Sequence, residues 1–95
     1  VRMTAPREPL ADAELPRPTP GAQEVLVRVR AAGICHSDVH YRAGRSRVEP
    51  LPLTLGHEVA GEIVAVGHGV PESRVGERVA LHYLVTCGNC VWCTS

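Results

Sequence analysis

Apolar and polar residues alternate most cleanly between Val25 and Ala31. Val25, Val27, Val29 and Ala31 fall on one side, and Leu26, Arg28 and Arg30 on the other. A period of two predicts a strand with one buried face, here running into Gly33. A second apolar run, Val59 to Val66, predicts another strand, with Gly61 as a site of a bulge or of close backbone packing. Gly67-His68-Gly69 breaks it. Gly76-Glu77 then turns the chain into a third predicted strand, Arg78 to Tyr83, with Val79, Leu81 and Tyr83 on one face. Val1 to Met3 reads as a short strand. Five prolines between Ala5 and Gly21 exclude a long helix there, and Pro20-Gly21 marks a turn. After Gly33, Ser37 or Asp38 is the expected cap of a short helical stretch through Tyr41, stopped by Gly44. Arg45 to Pro52 reads as a polar loop. Short strands separated by Gly and Pro turns predict a mainly β, barrel-like module.

Composition narrows this picture. Ninety-five residues form one small domain at most, and 44% apolar residues with no Phe, one Trp and two Tyr require an aliphatic core. Ten basic residues, all Arg, balance ten acids. A net charge of zero predicts no nucleic-acid partner. No stretch reaches the apolar length of a membrane span, and no secretory segment precedes the fold, so the expectation is a cytoplasmic protein with no membrane partner. In a reducing compartment the four cysteines point to metal or catalysis rather than to disulfides. The chain starts at Val1 and stops at Ser95 within a cysteine cluster, which reads as a segment of a longer protein.

Chemistry concentrates at three places. Gly33-Ile34-Cys35-His36-Ser37-Asp38-Val39-His40 holds a thiol, two imidazoles, a hydroxyl and a carboxylate. Gly56-His57-Glu58 follows after a Pro/Leu-rich bridge. A thiolate and an imidazole, each following a glycine near a strand end, suit a catalytic zinc that keeps one position open, although Cys35 alone would read as a small buried hydrophobe. Asp38 is either a helix cap or the group that orients a ligating histidine, and Glu58 either a solvated charge or a carboxylate behind His57. Ser37 is a cap or a proton-transfer hydroxyl, and His40, one turn on, can carry that proton to solvent. His36 is a surface histidine or a cation placed for a phosphate. Cys87-Gly-Asn-Cys90-Val-Trp-Cys93 places three thiols at three-residue spacing, able to wrap one tetrahedral ion. The alternative, a redox pair with a spare thiol, lacks the βαβ setting such pairs use. Three ligands leave the ion short of one, which predicts a ligand beyond Ser95 unless His82 folds back. His68 and His82 otherwise read as structural or surface residues.

Together, Gly56-His57-Glu58-x-x-Gly61-x5-Gly67-x-x-Val70, the Gly33–Asp38 segment and the Cys87/Cys90/Cys93 loop resemble the zinc-dependent medium-chain alcohol dehydrogenases, across nearly the whole chain. The resemblance implies a GroES-like, partly open β-barrel with short helices and a structural-zinc loop. Residues 1–95 would be the N-terminal catalytic domain, incomplete at both ends and lacking the Rossmann cofactor domain of an α/β full-length protein. It implies Cys35 and His57 on catalytic zinc, with Glu58 at the metal and Asp38 behind it. Ser37 and His40 would form a proton relay, and His36 would meet the pyrophosphate of NAD or NADP. Cys87, Cys90 and Cys93 would hold structural zinc. A fourth structural cysteine, a third catalytic ligand and the Gly-rich dinucleotide fingerprint are absent from the chain. The expected activity is interconversion of a small-molecule alcohol with an aldehyde or ketone, by a protein that is a homo-oligomer in full length and inactive as this piece alone. A polyol or sugar-alcohol dehydrogenase of the same superfamily is the alternative, though His36 favours a simple alcohol. A non-catalytic zinc-binding module is the other alternative if the chain ends at Ser95.

Overall fold

A computed structural model describes residues 1–95. In chain order the elements are β1 (Arg2–Met3), β2 (Val25–Gly33), α1 (His36–Arg42), β3 (Leu53–Thr54), β4 (Glu58–Val66), a 3-10 turn (Glu72–Arg74), β5 (Arg78–Ala80) and α2 (Val91–Thr94). Strands β2, β4 and β5 form an open antiparallel sheet with β4 in the centre, and β1 pairs with β3 in a second small sheet. The architecture is mainly β with short helices, the GroES-like class expected from the sequence.

The central strand carries the packing. Ile63 on β4 is 2% exposed and Met3 on β1 fully buried, and they are the fully buried apolar side chains. Gly61 packs closely, as expected: an added Cβ would run into the Arg28 carbonyl oxygen of β2 and lie 2.8 Å from Val27 Cγ1. A bulge also falls beside it, on the facing strand. Register slips between Leu26 and Val27 and between Val29 and Ala31, leaving Arg30 with no partner across the ladder. That extra residue frees Arg30 to reach across to Glu62, with Nε donating to Oε1 at 2.6 Å.

The Arg30 bulge corrects the reading of β2. An inserted residue switches the side-chain parity beyond it, so Ala31 does not continue the face shared by Val27 and Val29. Only Val25, Leu26 and Val27 are half-buried, and Val29 is 54% exposed. The third strand is also shorter than expected. It ends at Ala80, followed by a last ladder bond from Leu81 N–H to the Val59 carbonyl at 2.9 Å, after which the chain leaves the β4 edge. Leu81 and Tyr83 are therefore largely exposed rather than on a buried face.

Helix α1 stops where expected, at Gly44 with φ +75°, its N–H bonded to the Tyr41 carbonyl. Its start differs: Cys35 is the N-cap residue, in extended conformation, with no side-chain cap bond. Ser37 and Asp38 lie inside the first turn, and their side chains serve neighbours in the site instead. The loop before β3 is tied to β1 by Arg2 Nη2 donating to the Pro52 carbonyl at 2.8 Å. No helix is long and apolar enough to cross a membrane.

Candidate metal centre and its cleft

Antiparallel pairing of β2 with β4 sets Gly33 opposite Glu58. The chain leaves β2 two residues before Cys35 and enters β4 just after His57, so strand register alone delivers thiol and imidazole to one end of the sheet. A Cys35 sulfur, a His57 ring nitrogen and a Glu58 carboxylate oxygen all lie within 4.8 Å of one another. They line a cleft of about 820 Å³ whose wall includes Ser37, Tyr41, His82 and Tyr83.

The groups around the cluster perturb one another. Cys35 Sγ donates to Ser37 Oγ at 3.4 Å. Hydrogen bonding from Ser37, and then from His57, holds the Cys35 thiol below its ordinary pKa. His57 is raised, chiefly by its bond to Cys35 and, against desolvation, by the charges of Asp38 and Glu58. Its Nδ1 stands 3.7 Å from Asp38 Oδ1. That carboxylate oxygen is buried without a hydrogen-bond partner. With Nδ1 turned to Asp38, Nε2 is the nitrogen available to a ligand.

These residues fit a zinc ion. Thiolate, imidazole and carboxylate are all zinc donors, and three of them leave a tetrahedral ion one open position. The unpartnered Asp38 oxygen beside His57 Nδ1 matches the carboxylate that commonly orients a metal-bound histidine. Glu58 lies within ligand range rather than only behind His57.

The remaining candidates on α1 divide. Ser37 faces the cleft, whereas His36 and His40 do not line it. The two imidazoles instead meet each other edge-on with ring centroids 4.7 Å apart. No hydrogen bond joins Ser37 to His40, so a relay between them needs a bridging water.

Cys87, Cys90 and Cys93 form a separate exposed cluster, again with ligand atoms within 4.8 Å of one another. Gly88, at φ +74°, turns the loop. The single helical turn α2 then folds Cys93 back, bringing its sulfur 3.4 Å from that of Cys90 and 3.9 Å from that of Cys87. Backbone N–H groups of Asn89 and Cys90 stabilise the Cys87 thiolate and lower its pKa to about 7. Hydrogen bonding led by the Gly88 backbone lowers Cys93 as well.

His82 does not complete this cluster. Its Nδ1 accepts the Leu84 N–H at 3.2 Å, and its ring stacks on Tyr83 with centroids 5.1 Å apart. It lines the Cys35 cleft instead, with Tyr83, whose ring lies 6.1 Å from that of His57. From sequence alone His82 reads as a structural or surface residue and Tyr83 as part of one face of a strand. The available signal was their position at the end of a strand that pairs beside His57.

Comparison with known proteins agrees with this geometry. Residues 21–95 match the alcohol dehydrogenase GroES-like domain. The chain is 52% identical over 83 residues to a sorbitol dehydrogenase of Bacillus subtilis, covering 83% of this chain and 23% of that protein. It is 44% identical over 91 residues to an alcohol dehydrogenase of Geobacillus stearothermophilus, covering 94% of this chain and 27% of that one. Among solved structures, a short chain alcohol dehydrogenase (rspB) of Escherichia coli CFT073, complexed with NADH, superposes with a TM-score of 0.80. It is 44% identical and covers 98% of this chain and 26% of its own. The chain thus spans about a quarter of the length of the curated relatives it matches. With the Gly-Ile-Cys-His and Gly-His-Glu segments meeting at one end of the sheet as well, this chain belongs to the alcohol dehydrogenase GroES-like domain family.

Proposed function

We propose that this chain supplies the metal-binding half of the active site of a nicotinamide-dependent alcohol dehydrogenase. The observation that carries the reading is the convergence of Cys35, His57 and Glu58 on one point in an open cleft, with the Ser37 hydroxyl alongside. Zinc held there would supply a Lewis acid that acidifies an alcohol hydroxyl, and NAD or NADP the hydride acceptor. Structural relatives of this chain include one bound to NADH and one bound to NADP.

The chain's own residues then have distinct tasks. Ser37 accepts the proton lost by the alcohol hydroxyl and passes its own on, through a bridging water, to His40 and solvent. Asp38 faces His57 Nδ1 across 3.7 Å and orients the ring by its charge. His36 offers a cation to the cofactor's pyrophosphate. Tyr83 and His82 present aromatic faces to the carbon skeleton of the substrate. The Cys87, Cys90 and Cys93 cluster has a different task, because metal in a compact, exposed loop replaces a hydrophobic core.

A polyol substrate is the second reading, favoured by the 52% identity to a sorbitol dehydrogenase. Comparing kcat/KM for a simple alcohol with that for sorbitol separates the two.

The whole reading is tested by pairing substitutions at the two clusters in the full-length protein. Zinc content should be two ions per chain. Cys35→Ala should lose one ion and abolish alcohol-dependent NAD reduction while Tm stays near the parent. Cys90→Ala should lose the other and lower Tm, with activity falling only as the protein unfolds. An active Cys35→Ala, or an inactive Cys90→Ala as stable as the parent, would refute the assignment.

A further inference from the structure

We propose that Gly33 is a positioning residue whose missing side chain lets the Glu58 carboxylate reach the Cys35/His57 centre as a ligand. The inference rests on the reading of that centre as a metal site. Gly33 and Glu58 are paired across β2 and β4. At most such pairs two side chains share the space between strands. Here only one does. A Cβ built on Gly33 would run into Glu58 Oε2, and would lie 3.0 Å from Glu58 Cβ and 3.3 Å from Cδ. The carboxylate therefore lies across the bare Gly33 backbone, and it is in this pose that one of its oxygens comes within ligand range of Cys35 and His57.

Gly33 does not answer a backbone need. Its φ lies outside the left-handed region, where alanine is free to sit. The atom that blocks a Cβ most severely is the far end of a flexible side chain, and Glu58 is exposed. Adding a methyl group would therefore turn the carboxylate out to solvent and away from the metal, while Glu58 Cβ, at 3.0 Å and fixed to the strand, gives by a few tenths of an ångström. At Gly61, by contrast, the blocking atoms belong to backbone and to Val27. The two glycines of adjacent strands thus do different work: Gly61 lets two backbones approach, and Gly33 gives a ligand its place.

The test is zinc release from the full-length protein to a chelator, followed as two kinetic phases for the two clusters. Gly33→Ala should speed release from the Cys35 centre about 10- to 100-fold, the range typical when a metal-supporting group is lost. The phase from the Cys87 cluster should not change, and the Tm should fall less than in Gly61→Ala, where the blocking atoms are backbone. Glu58→Gln should have a similar effect, and the double variant should release zinc no faster than Glu58→Gln alone. Parent-like release in Gly33→Ala would overturn the proposal. So would a further acceleration by Gly33→Ala in the Glu58→Gln background, which would mean that the methyl group acts by distorting the strand. If Cys35→Ala left zinc content unchanged, the metal-site reading itself would fall, and this inference with it.

Discussion

Gly61→Ala tests the packing argument most directly. Gly61 is buried in the central strand β4, opposite Val29, and the new Cβ would meet the Arg28 carbonyl oxygen, with the Arg28 carbonyl carbon at 2.9 Å and Val27 Cγ1 at 2.8 Å. The Arg28 atoms belong to a strand held by the β2–β4 ladder, so no rotamer change relieves that contact. Relief requires moving the two strands apart beside Ile63, which anchors the core. Overpacking of this kind costs about 1–3 kcal/mol. Alanine returns up to about 1 kcal/mol, because glycine loses more chain entropy on folding. The net expectation is about 1–2 kcal/mol of destabilisation, and with about 4–8 °C per kcal/mol for a domain of this size, Tm should fall by roughly 5–15 °C. Circular dichroism melts of parent and variant measure it, with Gly33→Ala as the internal contrast. A Gly61→Ala protein melting within about 1 °C of the parent, or one less affected than Gly33→Ala, would refute the reasoning from close backbone approach.

The proton path is tested by Ser37→Ala, expected to slow alcohol oxidation by about 10²-fold. His40→Gln should slow it less and recover in imidazole buffer; an unaltered rate in Ser37→Ala would reduce Ser37 to a packing residue of α1. The exposed thiol cluster should show itself in the pH dependence of alkylation of the metal-free protein. Because the folded-state pKa of Cys87 is lowered from 9.0 to about 7, its thiolate is present above about pH 7 and lost as the pH falls through that value. Peptide mapping after iodoacetamide treatment should give a rate midpoint near 7 for Cys87, and a midpoint near 9.0 would show that the Asn89 and Cys90 amides do not hold the thiolate.

Much of the site is legible before folding because ligand chemistry resides in residue type. Cys35, His57, Cys87, Cys90 and Cys93 announce themselves as soft or borderline donors wherever they stand. Three thiols spaced three apart must lie close together in any tight turn, so the second cluster is written locally. The alternation over Val25–Ala31 and the apolar run before Val66 likewise reveal β2 and β4, since a half-buried strand imposes its own period on the sequence.

What tertiary structure decides is everything that depends on which residue faces which across the sheet. The bulge at Arg30 comes from the register of β2 against β4, and it takes Ala31 off the single face that alternation predicts. β5 ends at Ala80 although β4 continues to Glu58, and the chain's departure from that edge exposes Tyr83 and turns His82 into the cleft. Ser37 and Asp38 have the composition of helix caps, yet their partners are Cys35 and His57, which only the β2–β4 pairing brings near. Glu58 becomes a ligand candidate, rather than a solvated strand charge, because the residue opposite it is Gly33. In each case the deciding contact joins residues far apart along the chain, and a local pattern carries no record of the register that brings them together.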